Sequence, residues 1–243
     1  MRVVSGYAGN TRRRGGRRLT RIVVALLVLV GLLVGADFLA RSIAEAKLAA
    51  EIQSHGFPKK PDVTIEGFPF LTQAARRDLT QVRISSADVP EGPLTITNVN
   101  AVLNGVHIDS SLNGATVDQL TGTVLISFPD LARTLTQQVG PLGSLLGGAG
   151  LTLSDAGPDE AKASLDLLVT TGSATWRVTQ LSGNELNIRL ISSSNVPSSL
   201  LSSISNINVQ IPKLPLGMTI QSVRITPEGV NGTISGHDLS FSS

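Results

Sequence analysis

The sequence predicts an α+β fold in which one N-terminal membrane helix precedes a domain of long antiparallel strands. An arginine-rich block is followed by a run of uncharged, mostly aliphatic residues at positions 22–36. Many later segments alternate apolar and polar residues, which is the period of a half-buried strand. Charged residues make up only 16% of the chain and it holds 24 glycines. This composition favours twisted strands joined by tight turns.

The apolar run leaves two interpretations open. As a helix, residues 22–36 span about 22 Å, short of the roughly 30 Å hydrocarbon core of a bilayer. Counted from Arg21 to Arg41, with the arginines reaching towards the interfaces, the span grows to about 28–30 Å. The segment is therefore either a retained anchor or a signal peptide with a small-residue exit at 34–36. In both cases the arginines keep the N-terminus in the cytoplasm.

These considerations divide the chain into three parts. Residues 1–21 form a cytoplasmic arginine-rich tail, and residues 22–40 form the transmembrane anchor or signal segment. Residues 41–243 form an extracytoplasmic β-rich domain. Its first part, 41–55, is predicted to be a stalk helix, because apolar residues recur there at helical spacing.

The charge of the exported part differs from that of the whole chain. The net charge is +2, but seven of the 20 basic residues lie in the tail, which has no acidic residue. The remainder therefore holds 13 basic and 18 acidic residues, a net charge of −5. Such a domain lacks the basic patch of a nucleic-acid-binding protein. The chain has no cysteine, so an exported domain must be held together by its core.

Alternating residues predict the strands of this domain. They occur at 79–89, 94–110 and 115–128 in the first half, and at 165–169, 174–178, 186–190 and 207–211 in the second. A last hairpin is predicted across 227–229. A change of phase between Ile96 and Val99 predicts a bulge near Asn98.

A helix is predicted from Pro129 to about Val139, since proline suits the first turn of a helix. Leu131 and Leu135 would face inward. A second short helix is predicted at 197–205.

The segment 139–151 is apolar and uncharged, which is unusual for a loop. It contains Leu142, Leu145 and Leu146. It is either a buried helix cap with a turn into the next strand, or a loop that touches the membrane and gates a lipid site.

Catalytic and metal-binding motifs do not emerge from the sequence. The histidines at 55, 107 and 237 have no metal-ligand spacing, and the glycine-rich stretch 143–150 has no lysine to cradle a phosphate. His107 stands two residues from Asp109, so both would share one strand face. This pair supports a hydrolase hypothesis, against which an exposed surface pair is the simpler interpretation. We therefore predict no catalytic residues, no metal and no cofactor.

A heptapeptide about thirty residues beyond the apolar run carries a family resemblance. The sequence GFPFLTQ at 67–73 resembles a hallmark of the LmeA-like phospholipid-binding family of actinobacterial cell-envelope proteins. The entry through an apolar segment and a helix, the sequence LPLG at 214–217 and the closing hairpin at 227–229 agree with it. One departure is the sequence AARR at 74–77, where a glycine would be expected nearby.

The resemblance implies a fold similar to tubular lipid-binding domains, with a curved sheet wrapped around helices. It implies binding of anionic phospholipid or phosphatidylinositol species in support of envelope lipid or lipoglycan metabolism, without demonstrated catalysis by the domain itself. With the apolar segment, this predicts a membrane-tethered lipid-binding or lipid-transfer protein. The partners would be phospholipid, the membrane and an envelope-biosynthesis membrane enzyme. The alternative is a non-catalytic docking or assembly protein for such an enzyme.

Ten residues are assigned to this function. The predicted apolar contacts to lipid are Phe68, Phe70, Leu71, Leu131, Leu135, Leu142, Leu145 and Leu146. The predicted contacts to a head group are Arg76 and Arg77, which follow the heptapeptide and could pair with phosphate. Both phenylalanines could equally be ordinary core residues.

Overall fold

A computed structural model describes residues 16–54, 58–92, 94–111, 114–138, 150–167, 170–182, 185–196, 205–210, 214 and 217–242. These residues form three helices and eleven strands. In chain order they are α1 (Gly16–Ser54), β1 (Asp62–Glu66), α2 (Phe70–Arg76), β2 (Asp78–Glu91), β3 (Leu94–Ile108), β4 (Gly114–Ser127), α3 (Phe128–Gln138), β5 (Leu151–Gly157), β6 (Glu160–Leu167), β7 (Thr170–Ser182), β8 (Glu185–Ser194), β9 (Asn206–Gln210), β10 (Thr219–Thr226) and β11 (Gly229–Ser242).

The strands form two open antiparallel sheets. The first has six strands in the order β1-β2-β3-β4-β11-β10, so the C-terminal hairpin joins the N-terminal meander. The second has five strands in sequence order from β5 to β9. The predicted α+β class is confirmed.

The first helix runs without interruption from the arginine-rich region into the domain. Between Ile22 and Leu33 its aliphatic side chains are exposed. From Asp37 onward one side of the helix packs against the six-stranded sheet through small and aliphatic residues: Ala40, Ala44, Leu48, Ala49 and Ile52. The predicted stalk segment therefore contributes directly to the core.

That core lies between α1, α2 and one face of the six-stranded sheet. It centres on Val82, Val106, Val117, Leu120 and Leu239, each no more than 7% exposed. Each of these residues packs against side chains from neighbouring strands, since β2, β3, β4 and β11 pair in one continuous order. The packing explains why the strands are long and regular here.

Alternation is broken within this sheet without changing its register. Leu103 and Val106 both pack in the core although they are three positions apart, a spacing that alternation would place on opposite faces. Their partners Leu120 and Val117 show the same spacing. Gly105 lies between them with a φ of 60°. Neighbouring strands thus change phase together at this row.

The prediction of a bulge near Asn98 is wrong, because the strand register does not shift there. Asn98 pairs with Ala87 and Ile96 pairs with Val89 in one unshifted register. Opposite this point on β2, Asp88 has a φ of 54°. A bulge needs an extra residue in one strand, and none is inserted here.

The five-stranded sheet has a different kind of apolar face. Cross-strand neighbours such as Ala161, Trp176 and Leu190, or Val178 and Ile188, share this face. All five are only half-buried. Of the 16 buried apolar side chains in the described ranges, two lie in this sheet. The face looks towards α3 and β10, because α3 packs on β5 and the Gln180 amide donates to the Ile220 carbonyl at 3.4 Å.

Helix α3 connects the two sheets and its start is fixed by a reciprocal cap. The Ser127 hydroxyl donates to the Asp130 carboxylate at 2.8 Å and accepts from the Asp130 N–H at 3.3 Å. The Thr97 hydroxyl donates to the same carboxylate at 2.7 Å. These bonds lower the pKa of Asp130, the Thr97 bond most and the Ser127 bond next. The helix predicted from Pro129 thus begins one residue earlier, at Phe128. The predicted helix at 197–205 lies outside the described residues except for Ser205.

Candidate functional site

The heptapeptide 67–73 connects β1 to β2 through α2. Its last residue, Gln73, ties the two strands: the amide donates to the Glu66 carbonyl at 3.3 Å and accepts from the Thr80 N–H at 2.9 Å. Its first residue, Gly67, has a φ of 97°, and a Cβ there would lie 2.7 Å from the Gln73 amide nitrogen. The glycine and the glutamine therefore form one structural unit at the ends of the motif.

Between these ends, the three predicted lipid-contacting residues differ in their exposure to solvent. Phe70 is 6% exposed and belongs to the core of the six-stranded sheet. Phe68 is 63% exposed and Leu71 is 44% exposed. The ring of Phe68 contacts that of Phe38 on α1, with centroids 6.4 Å apart. Phe68 and Leu71, and not Phe70, thus present apolar surface.

A carboxylate from α1 holds this segment in place. Asp37 is 4% exposed, and its two oxygens accept the N–H of Phe70 at 2.9 Å and of Leu71 at 2.7 Å. The first N–H groups of a helix have no partner within it, and Pro69 at the N-cap supplies no side-chain bond to α2. Asp37 fills that role from 33 residues away. An acidic residue inside an apolar run was the only sequence signal for this contact.

The two predicted head-group residues lie at the other end of α2. Arg76 and Arg77 are exposed, and neither forms an ion pair within the described part of the chain. Arg77 adopts the left-handed conformation, with φ 57° and ψ 34°, at the C-cap of the helix. This is the conformation that usually selects glycine. Arg77 therefore occupies the turn at which a glycine was expected.

A cleft of about 590 Å³ opens between α3 and β5. Ala132, Arg133 and Thr136 line it from α3, and Leu151 and Leu153 line it from β5. Clefts of roughly 300–1,000 Å³ accommodate drug-sized ligands. Its β5 wall is continuous with the half-buried face of the five-stranded sheet.

Neither predicted lipid contact of α3 is found among the described side chains that line this cleft. Leu131 is half-buried and does not line it, whereas Ala132 is 7% exposed and does. The side chain of Leu135 lies outside the described part of the chain, as do Leu142, Leu145 and Leu146. Sequence periodicity placed the helix correctly but did not identify which of its faces meets the second sheet.

A second cleft of about 530 Å³ lies where β7 meets β10. Val178 and Val223 line it together with two arginines. Both arginines are paired with acidic residues: Arg224 contacts Asp159 at 2.9 Å, and Arg177 contacts Glu160. Both cations at this cleft are therefore neutralised by neighbouring carboxylates.

The α2 segment and the α3 cleft lie at opposite ends of the six-stranded sheet. The Arg77 carbonyl at the end of α2 accepts the N–H of Ile108, and Thr97 contacts Asp130 on α3. Ile108 and Thr97 stand about 36 Å apart along β3 at the usual rise per residue. The predicted site residues therefore divide into two separate groups.

His107 does not pair with Asp109. Its ring contacts Asp78 at 3.3 Å and Asp118 at 3.1 Å, both on neighbouring strands, and the side chain is 46% exposed. Across the described ranges, no group of three or more His, Cys, Asp or Glu residues could hold a metal ion. The cluster has the form of an exposed polar contact across neighbouring strands.

Two sheets, one with a half-covered aliphatic face and an adjoining cleft, define a β-rich binding domain. It is carried on one helix long and apolar enough to cross a membrane, which is consistent with an anchor or a signal sequence.

The model of the LmeA-like phospholipid-binding family matches residues 35–235. The chain therefore belongs to this family, as its heptapeptide suggested, and the family is a lipid-binding, non-enzymatic one. No curated protein and no solved structure matches the chain.

Proposed function

We propose that the protein is a membrane-tethered phospholipid-binding and lipid-transfer protein of the cell envelope. Its N-terminus lies in the cytoplasm and its domain lies on the outer side of the membrane. The ligand is an anionic phospholipid or a phosphatidylinositol species, and binding supports envelope lipid or lipoglycan metabolism. The observation that carries the proposal is the half-buried aliphatic face of the five-stranded sheet, open to the cleft between α3 and β5.

The energetics of that face favour an apolar ligand. Removing apolar surface from water stabilises a complex by about 25 cal/mol per Å². A core residue gains this on folding, but the side chains of this face still carry uncovered surface. An acyl chain lying along Leu151 and Leu153 would cover it without needing any specific polar partner. Because the cleft has the size of a drug-binding pocket, it would take part of a two-chain phospholipid.

Attraction of anionic lipid at the membrane surface would come from cations that no acidic residue already neutralises. Arg76 and Arg77 meet this condition within the described residues, whereas Arg133, Arg177 and Arg224 are ion-paired. Guanidinium groups bind phosphate oxygens with paired hydrogen bonds. We assign Arg76 and Arg77 to phosphates of lipids at the membrane surface, because α2 begins beside the anchor helix. The acyl-chain site lies towards the far end of the sheet, which suits a protein that moves lipid away from the bilayer.

A photo-crosslinking experiment tests lipid binding at the cleft. The full chain is reconstituted in vesicles that contain an anionic phospholipid with a diazirine in its acyl chain, and the adducts are mapped by mass spectrometry. We expect adducts on β5 to β8 in addition to α1, and fewer with a zwitterionic analogue.

Leu153→Glu should abolish the adducts on these strands, because it places a charge in the cleft. Ser154→Glu is the matched control, since Ser154 is the exposed neighbour on the same strand. Adducts confined to α1, or equal yields from both variants, would refute the proposal. Crosslinks to a membrane enzyme in place of lipid would favour the docking alternative.

A further inference from the structure

Apolar surface continues from the anchor helix onto the domain. On α1, beyond the uninterrupted aliphatic run, Phe38 is 59% exposed and Leu39 is 64% exposed. Beside Phe38, on the loop before α2 and on its first turn, stand Phe68 and Leu71, 63% and 44% exposed. We call Phe38, Phe68 and Leu71 the apolar ledge. Large apolar side chains that are exposed and contiguous mark an interaction surface.

The ledge is rigidly attached to α1. The rings of Phe38 and Phe68 are in contact, and Asp37 binds the backbone N–H groups of Phe70 and Leu71. The carboxylate is itself buried at this junction. The position of Phe68 and Leu71 along the axis of α1 is therefore fixed.

The height of the ledge can be read from the helix. If Arg21 lies at the cytoplasmic interface, Phe38 follows it by about 25 Å of helix, within the roughly 30 Å hydrocarbon thickness. Phe68 contacts Phe38 and so shares its depth. Phenylalanine and leucine are among the side chains whose transfer into the hydrocarbon region is favourable.

We propose that Phe68 and Leu71 enter the bilayer beside α1 and seat the domain directly on the membrane. The occupant of the surface is the leaflet that faces the domain, because the ledge is continuous with the segment that crosses the bilayer. Arg76 and Arg77, exposed at the end of the same short helix, then stand at the level of the lipid phosphates. This assignment concerns how the domain is held and not what it binds in its cleft, and it rests on α1 being a retained anchor.

The absence of cysteine from the sequence allows a direct depth measurement. Single variants Phe68→Cys and Leu71→Cys of the full chain are labelled with an environment-sensitive fluorophore. They are reconstituted in vesicles of phosphatidylcholine and phosphatidylglycerol that contain nitroxide-labelled lipid. Leu32→Cys, in the exposed aliphatic run, reports the membrane interior.

Glu228→Cys supplies the aqueous reference. Glu228 is exposed in the turn between β10 and β11, about 36 Å from the buried Leu239 at the usual rise of a strand. We expect quenching at positions 68 and 71 to exceed that at 228 several-fold, and to be strongest with a shallow nitroxide. Quenching at 32 should be strongest with a deep nitroxide.

Equal quenching at 68, 71 and 228 would overturn the proposal. Intact-mass measurement of the chain from its host would overturn it as well if residues before Asp37 are removed. Unchanged emission of the single tryptophan, Trp176, checks that each labelled variant is folded.

Discussion

The two sheets of this protein have similar alternating strand sequences but differ in how fully their apolar faces are buried. The six-stranded sheet packs one face against the second half of α1 and buries Val117 and Leu239 almost completely, each at 1% exposure. The five-stranded sheet presents an equally aliphatic face, yet Trp176, Ile188 and Leu190 remain half-buried. Alternation in the sequence therefore shows which residues share a face, but not how fully the protein itself covers that face.

The difference comes from what lies on each sheet. Ala40, Ala44 and Ala49 give α1 a smooth side that can approach the strands closely. The five-stranded sheet meets α3 at β5 and β10 at β7, whereas β6, β8 and β9 contact mainly their partner strands within the sheet. The first face is completed by protein, and we propose that the second is completed by lipid.

The largest expected effect comes from truncating matched leucines in the two faces. Leu239→Ala should lower the free energy of unfolding by about 3–5 kcal/mol, because a fully buried leucine leaves a cavity. Leu165 lies in the half-buried face of the five-stranded sheet. Leu165→Ala should lower the free energy of unfolding by only about 1–2 kcal/mol, because this side chain buries less apolar surface on folding. Denaturant titration of the full chain in detergent measures both. Equal costs would remove the distinction between the two faces.

The next effect concerns the contact between Asp37 on α1 and the first turn of α2. Asp37→Ala leaves two backbone N–H groups of α2 without their acceptor, which should cost about 2–3 kcal/mol. Hydrogen exchange at the Phe70 and Leu71 amides should accelerate, and the same denaturant titration should show the loss. Asp62→Ala is the control, because Asp62 is an exposed carboxylate on β1. If the two variants behave alike, Asp37 does not anchor α2.

A smaller effect is expected at the start of the heptapeptide. Gly67→Ala should destabilise by about 2 kcal/mol, since a φ of 97° disfavours a side chain and the Cβ would press on Gln73. Gly92→Ala also has a positive φ, 58°, but nothing lies within 4 Å of its Cβ. It should cost about half as much. Thermal unfolding followed by circular dichroism compares them, and the reverse order would contradict the role given to Gln73.

The smallest effect is a pH dependence at the junction between the sheets. Hydrogen bonds from Thr97 and Ser127 lower the pKa of Asp130 in the folded state. The carboxylate therefore stabilises the fold above its unfolded pKa of about 4, and this contribution is lost as the pH falls through the lower folded-state value. Asp130→Asn should be less stable than the wild type at pH 7, by about 1 kcal/mol for a lost cap. The difference in stability should narrow as the pH falls through the lowered pKa of Asp130. A stability difference that persists at low pH would be attributed to packing and not to the charge of Asp130.

Much of the fold could be predicted from the sequence because it depends on local periodicity. The alternation in β7, β8 and β10 and the helix predicted near Pro129 are local patterns, and each element is present, with α3 beginning at Phe128. The family resemblance is confirmed too, since its heptapeptide is a contiguous motif.

The contacts that define the candidate site depend on residues far apart in the chain. Asp37 reaches α2 across 33 residues, and His107 meets Asp78 and Asp118 because strand register brings them together. Phe68 and Phe70 occupy one short motif with the same local preference, yet tertiary packing buries one and exposes the other. No local pattern carries that information.

The central claim is that phospholipid completes the aliphatic face of the five-stranded sheet, and Trp176 can test it. It is the single tryptophan of the chain and it lies half-buried on that face. The full chain in detergent is titrated with an anionic phospholipid brominated in the middle of its acyl chain, with the unbrominated lipid as control. We predict saturable quenching that Leu153→Glu removes and Ser154→Glu retains. Tryptophan emission that responds equally to both lipids, or quenching that does not saturate, would contradict the account.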